Sequence, residues 1–533
     1  MKKIILSIIA FSVFAVSCED FIEKEERGTQ TLENYFQTAQ ECENYTNELT
    51  QRLLLAKDWF TLVAPRVTNE MATDDAWMGN TGQDNSAHRP CSQYLITPDN
   101  MGDMNSIYTA HYYTIQSANI GLEKMAVSPI TDSQKNQYMG ESLFVRAYCY
   151  YELVNLFGDV PLYTQSLGTA DLKLQRSPAT EVYAQIEADL KETAEKLETI
   201  PVNRNGRINK WAAYALLARV SLFQEKWAEA KQYSNKVITE GPYSLEENFL
   251  NIWNVNNHNG KESILEAQSS SIQNEALGSA LPTLSGARGE DKKNFPSNDA
   301  ADVLDGWGWC MPTSDLENAY LSENDEIRRR STITKWGEAA YGDEVLNPTH
   351  KFSLNDNKSG RICRKYYIPI ATRRTLDKKD GHLPLNIPLI RLAEMYLTRA
   401  EANYHTGGDA LADINIIRDR VDLEAKTGIS GPTLLKQIYK ERRLELAFEG
   451  LRLFDIRREK DPTTGKRVIE TLMGPNGTFV QYNLNSTDPY ETTNTRESQD
   501  KGINFDPSKH LLWPIPQLER DLSNNVITQN PNY

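Results

Sequence analysis

Apolar residues recur at intervals of three and four along much of the chain. In residues 140–157, Leu143, Ala147 and Val154 belong to one such series, which places them on a single stripe of a helix. Gly158 follows directly, and glycine commonly interrupts a helix. The pattern therefore predicts an amphipathic helix that ends near residue 157.

The same spacing predicts three pairs of neighbouring helices and one further helix. The pairs lie at residues 210–240, at 389–422 and in the combination of 106–125 with 132–157, and the further helix lies at 434–448. Small alanines and large apolar residues on facing helices permit close packing. Helix–turn–helix units of about 34 residues are typical of tetratricopeptide repeats. We therefore predict a mainly α fold whose scaffold consists of tetratricopeptide-like helix pairs.

Helical periodicity fades in three stretches that are rich in Gly, Pro, Ser, Asn and Trp. These stretches are residues 70–105, 246–385 and 460–530. Because binding residues commonly lie on loops that a rigid scaffold carries, we expect ligand contacts there. After the first 17 residues we predict a single unit. Its parts are an N-terminal helical part (18–245), a mostly loop-rich insertion (246–385) and a helical C-terminal part (386–533).

The start of the chain has the pattern of a secretory signal peptide. Lys2 and Lys3 precede an apolar run over residues 4–16, which is shorter than the roughly 20 apolar residues that span a bilayer. Such a segment is removed on export, so we predict residues 1–17 as the signal peptide. The small residues ahead of Cys18 resemble a bacterial lipobox, in which the cysteine is lipidated and becomes the new N-terminus.

The lipobox is imperfect, because Ala15 stands where leucine is usual. The alternative is a soluble secreted protein in which Cys18 lies near the cleavage site by chance. The rest of the chain, described below, agrees better with a lipoprotein. We therefore predict Cys18 as the lipidation site.

The charge and the cysteines exclude several classes of partner and site. The chain has a formal net charge of −15, which argues against nucleic acid or an anionic membrane surface as the main partner. The cysteines after Cys18 are widely spaced and form no C-x-x-C pair, so zinc ribbons and thioredoxin-like redox sites have no support. One disulfide among them remains open. These cysteines are Cys42, Cys91, Cys149, Cys310 and Cys363.

One long motif carries a family resemblance. Residues 141–162 read ESLFVRAYCYYELVNLFGDVPL, which resembles the signature of the SusD/RagB family of outer-membrane lipoproteins. Further matches follow in family order over essentially the whole mature chain. They are RSPATEVY (176–183), GRINK (206–210), LIRLAEMY (389–396), ERRLELAFEG (441–450), LWPIP (512–516) and QNPNY (529–533).

The resemblance implies a function in nutrient capture. SusD-like proteins are helical, non-enzymatic lids on a TonB-dependent outer-membrane transporter of the SusC type. They bind oligosaccharides, or peptides in the RagB branch, and help deliver them to the barrel. Glu19 and Asp20, directly after the cysteine, resemble the acidic signal that sends Bacteroidetes lipoproteins to the outer face of the outer membrane. The alternative is that Glu19 and Asp20 are an ordinary pair of solvent-exposed acidic residues.

Charged residues within these motifs have a structural interpretation. Buried charges must be paired, so charges on otherwise apolar helices predict salt bridges of the scaffold rather than acid–base groups. The motifs therefore identify the family without marking the ligand site. The residues concerned are Arg146, Glu441, Arg442, Arg443 and Glu445.

The first candidate site surrounds Trp77. The apolar faces of sugars stack on flat aromatic rings, while polar side chains read the hydroxyls. Trp77 lies among polar and glycine residues, where family members often have a ligand-stacking aromatic, but it could also pack into the core. The candidate polar partners are Asp74, Asp75, Asn80 and Arg89.

The second candidate site is the segment Asp-Gly-Trp-Gly-Trp-Cys at residues 305–310. The glycines beside Trp307 and Trp309 allow unusual backbone angles, and alternate residues of an extended segment point the same way. The two rings are therefore a candidate sugar platform. The alternative places one ring inside and the other as a cap on the core. Phe295 in the same long loop is a weaker candidate.

Three alternatives to glycan capture are an enzyme, a protein-interaction adaptor and peptide capture. A glycosidase needs two carboxylates that face each other across a cleft, and no segment isolates such a pair. The chain contains no Gly-x-Ser-x-Gly, no His-Glu-x-x-His and no phosphate-binding glycine loop. We therefore predict a non-enzymatic protein without a metal or cofactor, and leave the adaptor and peptide alternatives open.

Overall fold

The structure is a computed structural model of the chain. It describes residues 31–54 except 33, 63–79, 88–168, 174–202, 206–286 except 271 and 273–277, 306–335, 338, 359–376, 383–488 and 501–533. The predicted signal peptide (1–17) and Cys18 lie outside these residues, as do Asn80 and Phe295.

The described part is mainly helical, which confirms the predicted fold class. The helices are α1 (Ala39–Leu54), α2 (Val63–Met71), α3 (Arg89–Ser92), α4 (Asp103–Val127), α5 (Asp132–Phe157), α6 (Ala179–Lys196), α7 (Lys210–Phe223), α8 (Trp227–Glu240), α9 (Leu281–Leu284), α10 (Ser314–Leu321), α11 (Glu326–Thr332), α12 (Ile370–Thr375), α13 (Leu392–Thr406), α14 (Ala410–Asp419), α15 (Gly431–Leu446), α16 (Arg452–Arg458), α17 (Val468–Leu472), α18 (Thr478–Leu484) and α19 (Gln517–Leu522). A 3₁₀ helix covers Phe249–Trp253.

Short strands join distant parts of the chain in two-stranded antiparallel sheets. The pairs are β1 (Ala76–Trp77) with β5 (Met311–Pro312), β2 (Val160–Pro161) with β3 (Arg176–Ser177), β4 (Ser263–Ala267) with β8 (Ile387–Arg391), and β6 (Ile333–Lys335) with β7 (Arg361–Cys363).

Local sequence explains where the long helices begin and end. The Thr131 hydroxyl and the Gln134 side chain form a reciprocal capping box at the start of α5. The side chain of Asn209 accepts hydrogen bonds from two backbone amides at the start of α7. Helix α5 ends at Phe157, before Gly158, as the sequence pattern predicts.

The predicted helix pairs are confirmed. Helix α4 packs on α5, α7 on α8, and α13 on α14. Helix α8 also packs on α13, which joins two pairs that are distant in the sequence. The helix predicted at residues 434–448 corresponds to α15, which begins at Gly431 and ends at Leu446.

Buried ion pairs hold this scaffold together, as the charged motif residues predict. The Arg146 guanidinium contacts the Asp189 carboxylate at 2.7 Å, and Arg442 contacts Asp455 at 2.8 Å. Each pair satisfies charges that would otherwise be costly to bury. The SusD/RagB-type signature residue Arg146 therefore acts in the scaffold.

The largest such group surrounds Glu445, and we call Glu445, Arg328, Arg391 and Arg420 the Glu445 network. The Glu445 carboxylate pairs with Arg391 at 2.5 Å, with Arg328 at 3.3 Å and with Arg420. All four side chains are almost completely buried. Burial alone would raise the pKa of Glu445, but the three guanidinium groups hold it well below its usual range.

The described residues contain neither a disulfide nor a membrane-spanning helix. The cysteines at positions 42, 91, 149, 310 and 363 are all buried, and no two of them form a disulfide. Within the described residues, no helix combines the length and the apolar character that crossing a membrane requires.

Candidate functional site

Strands β1 and β5 bring the two predicted site segments together. Trp77 pairs with Met311, and Ala76 pairs with Pro312. The Thr313 amide donates to the Asp75 carbonyl at 2.9 Å, and its hydroxyl donates to the Asp74 carbonyl at 2.7 Å. Segment 74–77 is thus fixed directly beside the end of segment 306–310.

The predicted ligand contacts of Asp74 and Asp75 are corrected by the structure, because both side chains are fully buried. Arg452 contacts Asp74 at 2.8 Å, and Arg443 contacts Asp74 at 3.0 Å and Asp75 at 2.7 Å. We call these four residues the Asp74 cluster. Burial would raise the pKa of Asp74, but the two arginines hold it well below its usual range. The two carboxylates therefore have no exposed surface for a ligand, and the cluster fixes the segment that leads to Trp77.

The prediction that the Trp77 ring stacks on a ligand is also wrong in this structure, because the side chain has no exposed surface. Its ring lies 6.0 Å from the Phe479 ring, and the Lys501 ammonium lies 5.7 Å from its centroid. Lys501 is buried and donates to the carbonyls of Met71, at 2.8 Å, and Ala76. Burial lowers the pKa of Lys501 to about 7. Trp77 thus packs in the core, which is the alternative that the sequence left open.

Trp307 and Trp309 lie on a segment with a fixed backbone. The Trp307 amide donates to the Thr283 carbonyl and the Trp309 amide to the Leu284 carbonyl, both at 2.8 Å. Between them, the Gly308 amide donates to the Gly286 carbonyl at 2.9 Å. These three bonds attach the segment to α9 and the turn after it.

The two tryptophan rings touch each other and are only partly buried. Their centroids are 4.8 Å apart and their planes meet at 66°. The His88 ring lies edge-on to Trp309 at 5.2 Å. The rings form an angled pair instead of the flat two-ring platform that an extended segment predicts. Neither ring is fully inside the core, so the alternative of one inner and one capping ring does not apply either.

A close approach of two glycines connects this pair to β1. Gly79 has a φ of +102°, and a Cβ atom built there would lie 1.7 Å from the Gly308 carbonyl oxygen. Only glycine therefore fits at position 79. Arg89, the next predicted partner, is partly exposed in α3 and follows His88. Asn80 and Phe295 cannot be placed because they lie outside the described residues.

The structure contains a polar cleft of about 430 Å³ that the sequence did not predict. Its lining includes Asn44, Asn47, Gln51, Glu141, Arg207 and Gln268. Arg207 donates to both Glu141 carboxylate oxygens at 3.0 Å and to the Asn47 side-chain oxygen at 3.2 Å. Amide, carboxylate and guanidinium groups together offer the donors and acceptors that read sugar hydroxyls.

Glycine also shapes this cleft. Gly206 has a φ of +83°, and a Cβ atom there would lie 2.2 Å from the Gln268 side-chain carbon Cδ. Gln268 in turn exchanges hydrogen bonds with Asn259 at 2.9 and 3.0 Å. Residues 206–210 form one of the family motifs. This motif is the sequence signal that could have indicated the cleft.

The cleft and the tryptophan pair are connected through one short segment. Next to Gln268, the Ser269 hydroxyl donates to the Leu385 carbonyl at 2.7 Å. Ser279 exchanges backbone hydrogen bonds with Leu383, just before α9. Helix α9 then carries the carbonyls that hold the tryptophan segment. Residues 383–385 thus lie between the two features.

The described residues contain no cluster of His, Cys, Asp and Glu that would hold a metal ion. The tryptophan pair offers aromatic surfaces on which a sugar ring can stack, and the polar cleft offers side chains that can hydrogen-bond to sugar hydroxyls.

Two family models match the chain. Residues 261–533 match the model described as the SusD family, and residues 20–222 match one described as starch-binding associating with outer membrane. The chain is 25% identical to SusD-like protein P2 of Formosa agariphila over the full length of both proteins. It is 26% identical to the starch-binding protein SusD of Bacteroides thetaiotaomicron, over 74% of this chain and 78% of that protein.

Solved structures share the fold. A laminarin-binding SusD-like protein superposes with a TM-score of 0.71 and 24% identity, over 93% of this chain and 99% of that one. Surface glycan-binding protein A of Bacteroides thetaiotaomicron, in complex with laminarihexaose, superposes with a TM-score of 0.70 and 22% identity over the same shares.

Proposed function

The chain belongs to the SusD family, and from this premise we propose that it is a non-enzymatic surface lipoprotein that binds an oligosaccharide. The tryptophan pair carries the proposal. Trp307 and Trp309 are partly exposed, and three backbone hydrogen bonds fix the segment that bears them. A prearranged aromatic surface binds sugar faces without an ordering cost at the moment of binding.

The relatives support a glycan ligand. One similar structure is a laminarin-binding SusD-like protein, another is a surface glycan-binding protein in complex with laminarihexaose, and a third relative is a starch-binding protein. The polar cleft adds groups that hydrogen-bond to hydroxyls, and residues 383–385 connect it to the tryptophan pair. We propose that the ligand is long enough to contact both features.

The proposal includes a membrane anchor and a transporter. Lipid on Cys18 would hold the protein at the outer membrane, facing the exterior, which agrees with the outer-membrane association in one family description. A SusC-like TonB-dependent transporter would receive the ligand. The tetratricopeptide-like helix pairs would supply its contact surface.

Turnover of the ligand is not part of the proposal. Asp74 and Asp75 are buried and paired with arginines, so neither has the exposure to substrate that a catalytic acid needs. Capture followed by transfer needs only reversible binding.

We expect Trp307→Ala to weaken binding of the cognate oligosaccharide at least about tenfold, which corresponds to about 1.4 kcal/mol. The ring supplies an apolar face that alanine lacks. Titration calorimetry with the best ligand from a glycan screen measures the change.

Trp227→Ala is the matched control for this variant. Trp227 is also partly buried and stacks on another ring, His405, at 3.9 Å, but it belongs to α8 on the helical scaffold. Its replacement should leave the affinity unchanged. Equal affinities of Trp307→Ala and the unaltered chain would remove the tryptophan pair from the site.

A further inference from the structure

A group of buried donors without partners lies between α16 and the C-terminal segment. We call Arg457, His510 and Trp513 the Arg457 cluster. The side chains of all three are at least nine-tenths buried. The Arg457 Nη2 donates to the His510 carbonyl at 3.1 Å, and the guanidinium carbon lies 4.5 Å from the centroid of the Trp513 ring. Arg457 Nε and Nη1 have no hydrogen-bond partner among the described residues.

Two more donors in the cluster are also unpaired. His510 Nδ1 accepts a hydrogen bond from the Asp506 amide at 2.9 Å, so the proton of the neutral ring is on Nε2. Neither this Nε2 nor the Trp513 Nε1 has a partner among the described residues. Four donor nitrogens, Nε and Nη1 of Arg457 among them, therefore lack an acceptor.

The positive charge of Arg457 has no carboxylate partner among the described residues either. The neighbouring Arg458 pairs with Glu401 at 2.7 Å, whereas Arg457 forms no ion pair with a described carboxylate. Burial lowers the pKa of Arg457 to about 10, so the group is still charged at neutral pH. A buried charge without a counter-charge is costly.

A water molecule would leave the charge of Arg457 without a counter-charge. Water also donates two hydrogen bonds, which the carbonyl oxygens nearby could accept only as a second bond each. The carbonyl of His510 accepts from Arg457, that of Leu512 from the Tyr533 hydroxyl, and that of Trp513 from Asn530. The Tyr94 hydroxyl, whose ring lies 5.5 Å from the His510 ring, donates to the Ala72 carbonyl. An anion needs donors only and also neutralises the guanidinium.

We propose that the Arg457 cluster binds a small monovalent inorganic anion of the halide type. The anion accepts from the free guanidinium nitrogens and from one or both ring N–H groups. Arg457 belongs to α16, and His510 and Trp513 belong to the C-terminal segment. The bound anion therefore fastens that segment to the helical scaffold, independently of any glycan.

Bromide tests this directly, because it replaces chloride and scatters anomalously. Crystals of the chain grown in sodium bromide should show an anomalous peak within hydrogen-bond distance of the Arg457 guanidinium. The Trp513→Phe variant, which keeps a ring and removes one donor, should show a weaker peak there. Bromide only on the surface, with water or no density at Arg457, would overturn the proposal.

Thermal unfolding gives a second measurement in solution. Above the dissociation constant, each tenfold increase in chloride should raise the Tm by about 1 °C for a chain of this length, relative to sodium gluconate at the same ionic strength. Arg457→Met should abolish that difference. An equal Tm of the unaltered chain in both salts would count against the site. If Arg457→Met does not fold, the bromide peak in crystals of the unaltered chain still decides the question.

Discussion

Trp77→Ala should destabilise the protein by about 3–5 kcal/mol, as large core truncations of aromatic residues do. The side chain is fully buried, with Phe479 on one side and the Lys501 ammonium on another. Removing the indole leaves a cavity beside the Phe479 ring and removes the ring that packs against the Lys501 ammonium. The midpoint of urea unfolding measures the loss.

Trp307→Ala is the control for this experiment. Trp307 is only partly buried, so its replacement should change the free energy of unfolding by no more than about 1 kcal/mol. The two variants should therefore separate stability from binding. A Trp77→Ala protein of unchanged stability and reduced glycan affinity would restore Trp77 as a ligand contact.

Glu445→Ala should destabilise the protein by about 3–5 kcal/mol, because it removes a buried carboxylate from a network in which the remaining partners, such as Glu262 and Glu441, no longer balance the buried arginines. Glu445 contacts Arg391 at 2.5 Å and Arg328 at 3.3 Å, and it also pairs with Arg420. Alanine removes the negative charge that these three groups share. Unfolding in guanidinium chloride, followed by circular dichroism, measures the difference.

An exposed ion pair provides the comparison. Glu240 pairs with Lys236 at 2.8 Å on the surface of α8. Glu240→Ala should change the free energy of unfolding by less than about 1 kcal/mol, because exposed pairs contribute little. If both glutamate variants lost the same small amount, the Glu445 network would not stabilise the scaffold as described.

The buried charges and the tryptophan pair form one connected structure. The Asp74 cluster and Lys501 fix the turn that leads into β1. Strand β1 pairs with β5, and Gly79 lies against Gly308 between the two tryptophans. The buried ion pairs of the Asp74 cluster thus stabilise the strand pair next to Trp307 and Trp309, the aromatic surface that we assign to the ligand.

The sequence predicts the helical scaffold well because its signals are local. The spacing of apolar residues and the glycine after Phe157 predict α5 and its end, and the charges on apolar helices predict buried pairs. The apolar spacing and the glycine are local signals, whereas the partner of Arg146, Asp189, lies 43 residues away and could not be named from the sequence.

The same reasoning fails for Trp77 because its environment is not local. A polar, glycine-containing stretch looks like an exposed loop, yet the Asp75 side chain pairs with Arg443, 368 residues away. Because the sequence does not show that Arg443 is close, the two adjacent aspartates resemble groups that bind sugar hydroxyls and not members of a buried ion cluster. The polar cleft was missed for the same reason, since α1, residues 206–207 and Gln268 meet only in the fold. The boundaries at 245 and 385 and the lipid on Cys18 stay predictions.

Affinity electrophoresis tests the central claim, glycan capture without turnover. The chain without residues 1–18 would be run through native gels that contain neutral polysaccharides, laminarin among them. We predict that at least one polysaccharide retards the chain, that Trp307→Ala reduces the retardation, and that no shorter sugars are released on incubation. Unchanged mobility in every polysaccharide, or release of shorter sugars by the purified chain, would contradict the account.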